Sequence, residues 1–331
     1  MRKPIRIIKA GEIRQHYSMK QAIEAMHRAF ASMASGEGFV PHRYVTSLPN
    51  GELVMLCKPA FVEQEQKVTV KFLTQREGVV IPGVPTIQGV IMVIDAQSGE
   101  LLSIMDGGYL TALRTGAASG LATRLFARKD AAIMALFGCG TQGRTQLEAV
   151  LCEREIRRVL VYDTNEAAAR TFCQEMAEQF NVECMYTKRT SDLAMADVIC
   201  TATNATSPLF TRGEIKQGVH INAIGSFQPH MQELDPRVLK DARVYVDTAK
   251  ACLEESGDLV KAISAGIIQK DHIVGEIGEY CMGRIPGRES GSEITVFKSV
   301  GVAIQDFMVA TDIYHASQRS HFGSDIDLST W

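Results

Sequence analysis

Residues 131–148, AAIMALFGCGTQGRTQLE, decide the fold of this chain. The stretch opens with seven apolar residues, 131–137, a run typical of a strand buried on both faces of a parallel sheet. Gly138, Gly140 and Gly143 follow in the spacing G-x-G-x-x-G. In dinucleotide-binding folds the first glycine allows a tight turn, the second lets backbone approach a pyrophosphate, and the third lets the next helix pack closely. The stretch therefore indicates a dinucleotide site, and a glycine-rich turn in another α/β domain is the alternative.

The residues after the glycines indicate which dinucleotide binds. The predicted helix 142–151 would point its free N–H groups at the phosphates. A second strand pattern, 158–162, ends in Asp163, where dinucleotide folds place the acid that binds the ribose hydroxyls. The same carboxylate would repel the 2′-phosphate of NADP, so we predict NAD as the cofactor. Lys188 and Arg189, after the next strand, leave NADP possible.

The composition describes a globular protein without special partners. A chain of 331 residues suggests two domains, and its apolar fraction is 46%. The net charge of −3 gives no reason to expect nucleic acid or an anionic membrane. No apolar run reaches the length of a membrane span, and the N-terminus does not resemble a signal peptide. The eight cysteines lack metal-binding spacing, so we expect reduced thiols, a cytoplasmic location and no metal site.

The order of predicted elements indicates an α/β fold with two parts. Strands and helices alternate after residue 131, which predicts a doubly wound parallel sheet of the Rossmann type. Residues 203–205 and 224–227, at strand ends, should face the cofactor. Strand follows strand over 43–105, which predicts a mostly antiparallel sheet in a separate α+β domain. Helices are predicted over 250–265, 273–282 and 301–318, and the last should return to the N-terminal domain. We therefore expect a split domain, 1–122 with 301–331, and a dinucleotide-binding domain, 123–300.

Three basic residues have two interpretations each. Alternation in the strand around Lys71 places Val68, Val70 and Phe72 on one face and Lys71 on the other. Lys71 could be a solvated lysine on an open sheet, and Arg43 a surface arginine at a strand start. Arg114 lies early in a helix, where a cation opposes the helix dipole, so it belongs either to a salt bridge or to an anion site. Lys71 and Arg43 could instead hold a substrate carboxylate.

The chain resembles the ornithine cyclodeaminase/mu-crystallin family from about residue 5 to 320. The similar segments are P-x-R at 41–43, the strand lysine Lys71, Thr86 before IQGVIMVID, ALRTGAAS from 112, GCGTQG from 138, INAIGS from 221, EESGD from 254 and TVFKSVG from 295. The resemblance implies a homodimer whose split N-terminal domain carries the dimer sheet and part of the active site. It also implies nicotinamide-dependent reduction or oxidation of the C–N bond in small amino or cyclic imino acids.

The resemblance also implies roles for single residues. The substrate carboxylate would be held by Arg43, Lys71 and Arg114, with Lys71 also a candidate proton donor. Thr86 and Ser299 would lie near the nicotinamide. The rest of the dinucleotide would contact the glycine loop together with Thr141, Gln142, Asp163 and Thr203, and Ser226 belongs to a strand end expected at the cofactor.

Two departures from the family pattern point to the reaction. Ornithine-cyclising members have an aspartate where this chain has Phe227 and a glutamate where it has Leu56. Phenylalanine cannot accept a proton or pair with an ammonium group. The resemblance therefore implies a reductase that receives a ready-made cyclic imine, Δ1-pyrroline-2-carboxylate or Δ1-piperideine-2-carboxylate, with Phe227 at the substrate. The alternatives are ornithine cyclodeaminase, an acyclic alanine-type dehydrogenase, and a non-catalytic binder like some mu-crystallins.

Overall fold

The computed structural model of the chain describes residues 4–41, 43–49, 51–76, 81 and 84–328. The chain divides into two compact units, one formed by residues 1–114 and 302–331 and the other by residues 115–301. The first boundary thus follows residue 114, where the sequence pattern placed it after residue 122. Across the described residues, no helix is both long and apolar enough to cross a membrane.

The first unit begins with helices and a run of strands. Ser18 caps the second helix, because its hydroxyl accepts a hydrogen bond from the Gln21 N–H. In chain order the elements are β1 (Ile5–Ile8), α1 (Ala10–His16), α2 (Met19–Ser35), β2 (Gly38–Phe39), β3 (Tyr44–Ser47), β4 (Leu53–Val62), β5 (Lys67–Arg76), β6 (Ile87–Asp95), β7 (Leu101–Asp106) and α3 (Gly107–Phe126), within which the unit boundary falls.

The second unit is organised around a parallel sheet. In chain order its elements are β8 (Ile133–Phe137), α4 (Thr141–Glu153), β9 (Arg158–Tyr162), α5 (Glu166–Phe180), β10 (Glu183–Tyr186), β11 (Val198–Thr201), β12 (Thr206–Phe210), β13 (His220–Ala223), β14 (Gln232–Leu234), α6 (Pro236–Asp241), β15 (Ala242–Val246), α7 (Ala249–Glu255), α8 (Gly257–Ser264), β16 (Ile273–Glu276), α9 (Ile277–Cys281) and β17 (Ile294–Lys298). The sheet order is β10-β9-β8-β11-β13-β17-β15-β16, and its described pairs are parallel. From β8 the sheet extends one way through β9 and β10 and the other way from β11 onward, so the strand order reverses between β8 and β11. This order confirms the Rossmann-type sheet, and the point of reversal is where such sheets bind ligands.

The chain returns to the first unit through α10 (Ala303–Ser320) and β18 (Ser324–Ile326). As predicted, α10 packs against this unit, on α2 and on β4, β5 and β6. The sheet order is β18-β1-β7-β6-β5-β4-β2, with β3 paired to β4. Of its described pairs, all are antiparallel except β1 with β7, so the predicted mostly antiparallel sheet is confirmed.

Two predicted helices differ in the structure. The sequence predicts a helix over 273–282, but residues 273–276 form β16 because they pair with β15 in the parallel sheet. The predicted helix 250–265 is two helices, α7 and α8, that meet at Ser256. Ser256 is the C-cap of the first, where its backbone N–H donates to the Cys252 carbonyl oxygen. Its hydroxyl caps the second by accepting a hydrogen bond from the Leu259 N–H at 3.5 Å.

The two faces of the sheet in the first unit have opposite environments. Lys71 lies beside Lys58 on β4 and Ile91 on β6, and this row is buried on the side where α10 packs. The next cross-strand row, one residue along and therefore on the opposite face, includes Phe72 and Val90, which are 40% and 37% exposed. The interpretation of Lys71 as a solvated lysine is therefore wrong, since the apolar face is the more exposed one.

Candidate functional site

A cluster of buried charges lies between the sheet of the first unit and α10. The Nζ of Lys71 is 2.6 Å from Oδ2 of Asp306, in the first turn of α10. Arg114 donates through Nε to the other carboxylate oxygen at 3.1 Å and through a terminal nitrogen to Gln305 at 2.9 Å. Lys58 is the strand partner of Lys71. The exposures of Lys58, Lys71, Arg114 and Asp306 are 7%, 1%, 6% and 2%.

This basic cluster (Lys58, Lys71, Arg114 and Asp306) holds three cations against one carboxylate. Burial lowers the pKa of Lys71 well below 10.5; Asp306 opposes that change, while Arg114 and Lys58 reinforce it. The pKa of Asp306 is also lowered, because the three cations outweigh the effect of its burial. Burial thus accounts for most of the lowered pKa of Lys71, whereas the lowered pKa of Asp306 reflects the surplus of positive charge around it. A buried surplus of this kind is stabilised by an anion, which suits a substrate carboxylate.

A cleft of about 670 Å³ opens in the second unit at the carboxyl ends of β8, β9 and β11. It lies where the strand order reverses, as expected for a dinucleotide site. The lining comes from the glycine loop and from the segments that follow β9, β10 and β11. It includes Phe137, Gly138, Gly140, Tyr162, Asp163, Thr164, Thr187, Lys188, Ala202, Thr203, Asn204, Ala205 and Leu209.

The three glycines of the loop have different surroundings. A Cβ on Gly143 would lie 2.1 Å from the Gly138 carbonyl oxygen, so the helix packs closely on the loop. Gly138 has a φ of +92°, and its Cβ would lie 2.5 Å from the Ala202 carbonyl oxygen. A Cβ on Gly140 would meet no described atom within 4 Å. Packing therefore requires the first and third glycines, whereas Gly140 leaves open space beside the cleft for a ligand.

Asp163 lies in the cleft in a fixed orientation. One carboxylate oxygen accepts hydrogen bonds from the Cys139 N–H at 2.9 Å and thiol at 3.0 Å, and the other accepts the Asn165 N–H at 2.8 Å. These bonds outweigh burial and lower the pKa of Asp163. Burial and the neighbouring carboxylate raise the pKa of Cys139 to about 12, so its thiol remains a donor. Lys188, 2.8 Å from Glu166, lines the same cleft.

The start of α4, directly after the glycine loop, carries two polar residues. Thr141 is its exposed first residue, and Gln142 follows. The side-chain oxygen of Gln142 is buried and has no hydrogen-bond partner within the described residues. A ligand that donates a hydrogen bond at this turn would satisfy that oxygen.

The structure brings some of the predicted residues together and separates others. Gly138, Gly140, Asp163 and Thr203 share the cleft. The hydroxyl of Ser226, which is fully buried, accepts the Asp258 N–H at 3.2 Å, and that of Ser299 donates to Asp247 at 2.7 Å. Both hydroxyls therefore have partners in the second unit's own framework.

The predicted substrate residues also differ in position. Lys71 and Arg114 meet at Asp306. Arg43 is half-buried just before β3, Thr86 is exposed just before β6, and Phe227 is half-buried after β13. Over the ranges that the structure describes, no three His, Cys, Asp or Glu side chains could together hold a metal ion.

Sequence reasoning missed Lys58 and Asp306. The pairing of Val62 with Lys67 across the tight turn sets the register of β4 and β5, and that register makes Lys58 and Lys71 neighbours. Asp306 is the one acid in the apolar stretch 300–311, and its conspicuous position could have marked it as the partner of a buried cation.

The profile of the ornithine cyclodeaminase/mu-crystallin family matches residues 5–321. The chain belongs to this family. It is 36% identical over 329 residues to Δ1-pyrroline-2-carboxylate reductase of Bacillus cereus, a match that covers 97% of this chain and 99% of that protein.

Two solved structures share the fold over almost the whole chain. One is Thermococcus litoralis Δ1-pyrroline-2-carboxylate reductase in complex with NADH and L-proline (TM-score 0.93, 33% identity, 97% of this chain and 100% of that one). The other is an archaeal alanine dehydrogenase dimer with bound NAD (TM-score 0.91, 31% identity, 98% and 99%). The family resemblance drawn from the sequence motifs is thereby confirmed.

Proposed function

We propose that this protein is an NAD(P)H-dependent reductase of cyclic imino acids, converting Δ1-pyrroline-2-carboxylate or Δ1-piperideine-2-carboxylate into proline or pipecolate. The observation that carries the proposal is the basic cluster, whose surplus positive charge matches a substrate carboxylate. The similarity to Δ1-pyrroline-2-carboxylate reductases, one of them solved with NADH and L-proline, supports the same substrate class.

Arg114 is suited to bind the carboxylate. Its contacts with Asp306 and Gln305 use two of the five N–H donors of a guanidinium and fix its plane. Other donors of the same group can bind a carboxylate with paired, charge-assisted bonds. Arg43 is proposed as a second contact. Holding the carboxylate in this way orients C2 of the imine for reduction.

Lys71 is suited to supply the proton. Reduction adds a hydride to C2 while the electron pair of the C=N bond moves to nitrogen, which takes up a proton. When bound, the cofactor supplies the hydride. The lowered pKa of Lys71 makes its ammonium group a better acid, and contacts with Asp306 at 2.6 Å and the Thr111 hydroxyl at 3.4 Å hold it in place. Lys71 then recovers a proton from solvent.

The cleft of the second unit is proposed as the dinucleotide site, with NADH preferred over NADPH by about tenfold, or ~1.4 kcal/mol. Asp163 is ionised, fixed and able to accept hydrogen bonds from ribose hydroxyls, and it repels a 2′-phosphate. Of the described residues that line the cleft, Lys188 is the cation that could offset this repulsion. Lys188→Gln should therefore lower kcat/KM with NADPH and leave the value with NADH unchanged.

Two departures from the family pattern, already visible in the sequence, disfavour ornithine cyclodeaminase activity. By the family resemblance, Phe227 and Leu56 stand where ornithine-cyclising members have the two carboxylates that act on the substrate amines. An enzyme that starts from ornithine must first oxidise an amine and accept its proton, and neither side chain can do so. A ready-made imine needs no such base.

The test is NADH oxidation at 340 nm with a panel of substrates. Δ1-pyrroline-2-carboxylate and Δ1-piperideine-2-carboxylate should be reduced, pyruvate with ammonia only weakly, and ornithine with NAD should give negligible turnover. Arg114→Met should lower kcat/KM for the imines by about 100-fold, since charged contacts contribute roughly 2–4 kcal/mol. Efficient ornithine cyclisation would refute the proposal, and a preference for pyruvate with ammonia would favour an alanine-type dehydrogenase.

A homodimer is proposed to form through the open face of the sheet in the first unit. Tyr44, Cys57, Phe72 and Val90 are cross-strand neighbours and form one row across β3, β4, β5 and β6. Tyr44 is 69% exposed, and large apolar side chains in one contiguous patch mark an interface. The dimeric archaeal alanine dehydrogenase supports this assembly. Phe72→Glu should give a monomer in light scattering, whereas an unchanged dimer would place the interface elsewhere.

A further inference from the structure

Glu233 is a fully buried carboxylate to which five hydrogen bonds converge. One oxygen accepts from the backbone N–H of Thr203 at 2.7 Å and from its hydroxyl at 2.8 Å. The other accepts from the Thr201 hydroxyl at 2.7 Å and from the N–H groups of Gly225 and Ser226 at 2.8 and 3.2 Å. Three of the five donors are backbone groups, which cannot rotate to suit another partner.

The donors come from two neighbouring strand ends. Thr201 is the last residue of β11 and Thr203 follows it, while Gly225 and Ser226 follow β13. β11 and β13 are adjacent and parallel, so both segments lie at the carboxyl edge of the sheet. Thr203 itself lines the cleft. Glu233 therefore ties the segment after β11, which lines the proposed cofactor site, to the segment after β13.

The space around this carboxylate leaves little freedom. A Cβ on Gly225 would lie 2.3 Å from a Glu233 carboxylate oxygen and 2.4 Å from the Thr203 carbonyl oxygen. Asp258 fixes the backbone of β14 by accepting the N–H groups of Glu233 and Leu234 at 2.7 and 2.9 Å. Lys298, also fully buried, donates to the other Asp258 oxygen at 3.1 Å. Glu233 is thus held by its own backbone as well as by its side chain.

The place of this carboxylate along the cleft indicates which half of the cofactor it affects. Asp163, after β9, marks the end of the cleft that binds the adenosine ribose. A dinucleotide crosses the point where the strand order reverses, so its nicotinamide half lies toward β11 and β13. We propose that Glu233 is a positioning residue that holds these two strand ends in the geometry that receives the nicotinamide. This rests on the dinucleotide site of the proposed function.

Glu233→Gln is a sharp perturbation because no amide orientation fits. An NH2 group at either oxygen position would face a backbone N–H, of Thr203 on one side or of Gly225 and Ser226 on the other. At least one strand end must therefore move. The adenosine end of the cleft, at Asp163, has no bond to Glu233 in the described residues and should keep its geometry.

The experiment compares NADH with ADP-ribose, which lacks only the nicotinamide, by calorimetric titration. Glu233→Gln should weaken NADH binding by about tenfold or more and change ADP-ribose binding by less than about threefold. The control is Asp197→Asn. Asp197 is a buried carboxylate at the opposite edge of the same sheet, where it accepts the N–H groups of Ala132 and Ile133. Asp197→Asn should leave the ratio of the NADH and ADP-ribose affinities at its wild-type value, even if the melting temperature of the variant falls.

Equal weakening of both ligands, or of neither, by Glu233→Gln would overturn the proposal. If that variant does not fold, Thr201→Val removes one of the five donors instead. It should weaken NADH binding by about threefold without affecting ADP-ribose binding, and equal effects on the two affinities would again overturn the proposal. If the wild-type protein binds NADH but reduces no cyclic imine, the proposed imine reduction is refuted and the role of Glu233 is not. The ratio of the NADH and ADP-ribose affinities is measured without a substrate. In an active enzyme, Glu233→Gln should also lower kcat by about tenfold more than Asp197→Asn does.

Discussion

Replacing Asp306 with asparagine removes the one negative charge from the basic cluster. In the native protein its oxygens lie 2.6 Å from Lys71 and 3.1 Å from Arg114, and all three side chains are nearly inaccessible to solvent. The variant removes the countercharge that Asp306 supplies to the buried Lys71 and Arg114. We therefore expect a large loss of stability and a further fall in the pKa of Lys71, since Asp306 raises it.

The magnitude follows from distance and burial. Opposite charges 2.6–3.1 Å apart attract by about 5–6 kcal/mol at an effective dielectric constant of ~20, and much of this is offset by desolvation. Removing one partner of a buried pair typically costs ~3–5 kcal/mol, because the remaining charge stays buried. Asp306→Asn should therefore lower the free energy of unfolding by ~3–5 kcal/mol. The double variant Lys71→Met with Asp306→Asn should recover about 2 kcal/mol, since it restores the native net charge.

Urea unfolding followed by circular dichroism measures these free energies. The matched control is Asp312→Asn, on the same helix, whose carboxylate pairs with the half-exposed Arg28 and accepts from Tyr17. A partly exposed pair contributes little, so this change should cost about 1 kcal/mol. A loss below 1 kcal/mol for Asp306→Asn, or a double variant no more stable than the single one, would refute the account of the cluster.

Three further predictions concern the cofactor cleft, the basic cluster and a buried histidine. Gly140→Val should keep the melting temperature, because no described atom lies within 4 Å of its Cβ, and should abolish NADH binding in a fluorescence titration; unchanged affinity would remove Gly140 from the site. Lys58→Gln removes a charge that lowers the pKa of Lys71, so the loss of kcat/KM at alkaline pH should move to higher pH; an unmoved profile would mean that Lys71 is not the proton donor. Burial lowers the pKa of His220 to about 3, so stability should fall as the pH drops from 6.5 toward 3, by about 2 kcal/mol at pH 5. His220→Gln should lose this part of the acid sensitivity in thermal melts, and equal sensitivity would assign it to other groups.

The glycine loop and the Rossmann-type sheet could be predicted because their signals are local. An apolar run, three glycines and an acid after the next strand lie within 33 residues, and each has one physical reason to be there. The strand at 273–276 could not be predicted in the same way. Its pairing with β15 is a contact between segments about 30 residues apart, and its short sequence is compatible with either a helix or a strand.

The basic cluster shows a second limit. Alternation separates the two faces of β5 but does not say which one the protein buries, and the apolar residues suggested the wrong face. The answer depends on α10, more than 200 residues later, which covers the Lys71 side and brings Asp306 to it. Glu233 was missed for the same reason, since its five donors come from two segments up to 32 residues away.

The measurement that tests the central claim most directly compares Δ1-pyrroline-2-carboxylate with Δ1-pyrroline, the same cyclic imine without its carboxylate. The claim is that the buried surplus of positive charge holds this carboxylate, and desolvated charge pairs of this kind contribute ~2–5 kcal/mol. The wild-type enzyme with NADH should therefore show kcat/KM at least about 100-fold higher for the carboxylate, a ratio that Arg114→Met largely removes. Similar values for the two imines in the wild-type enzyme would contradict the claim.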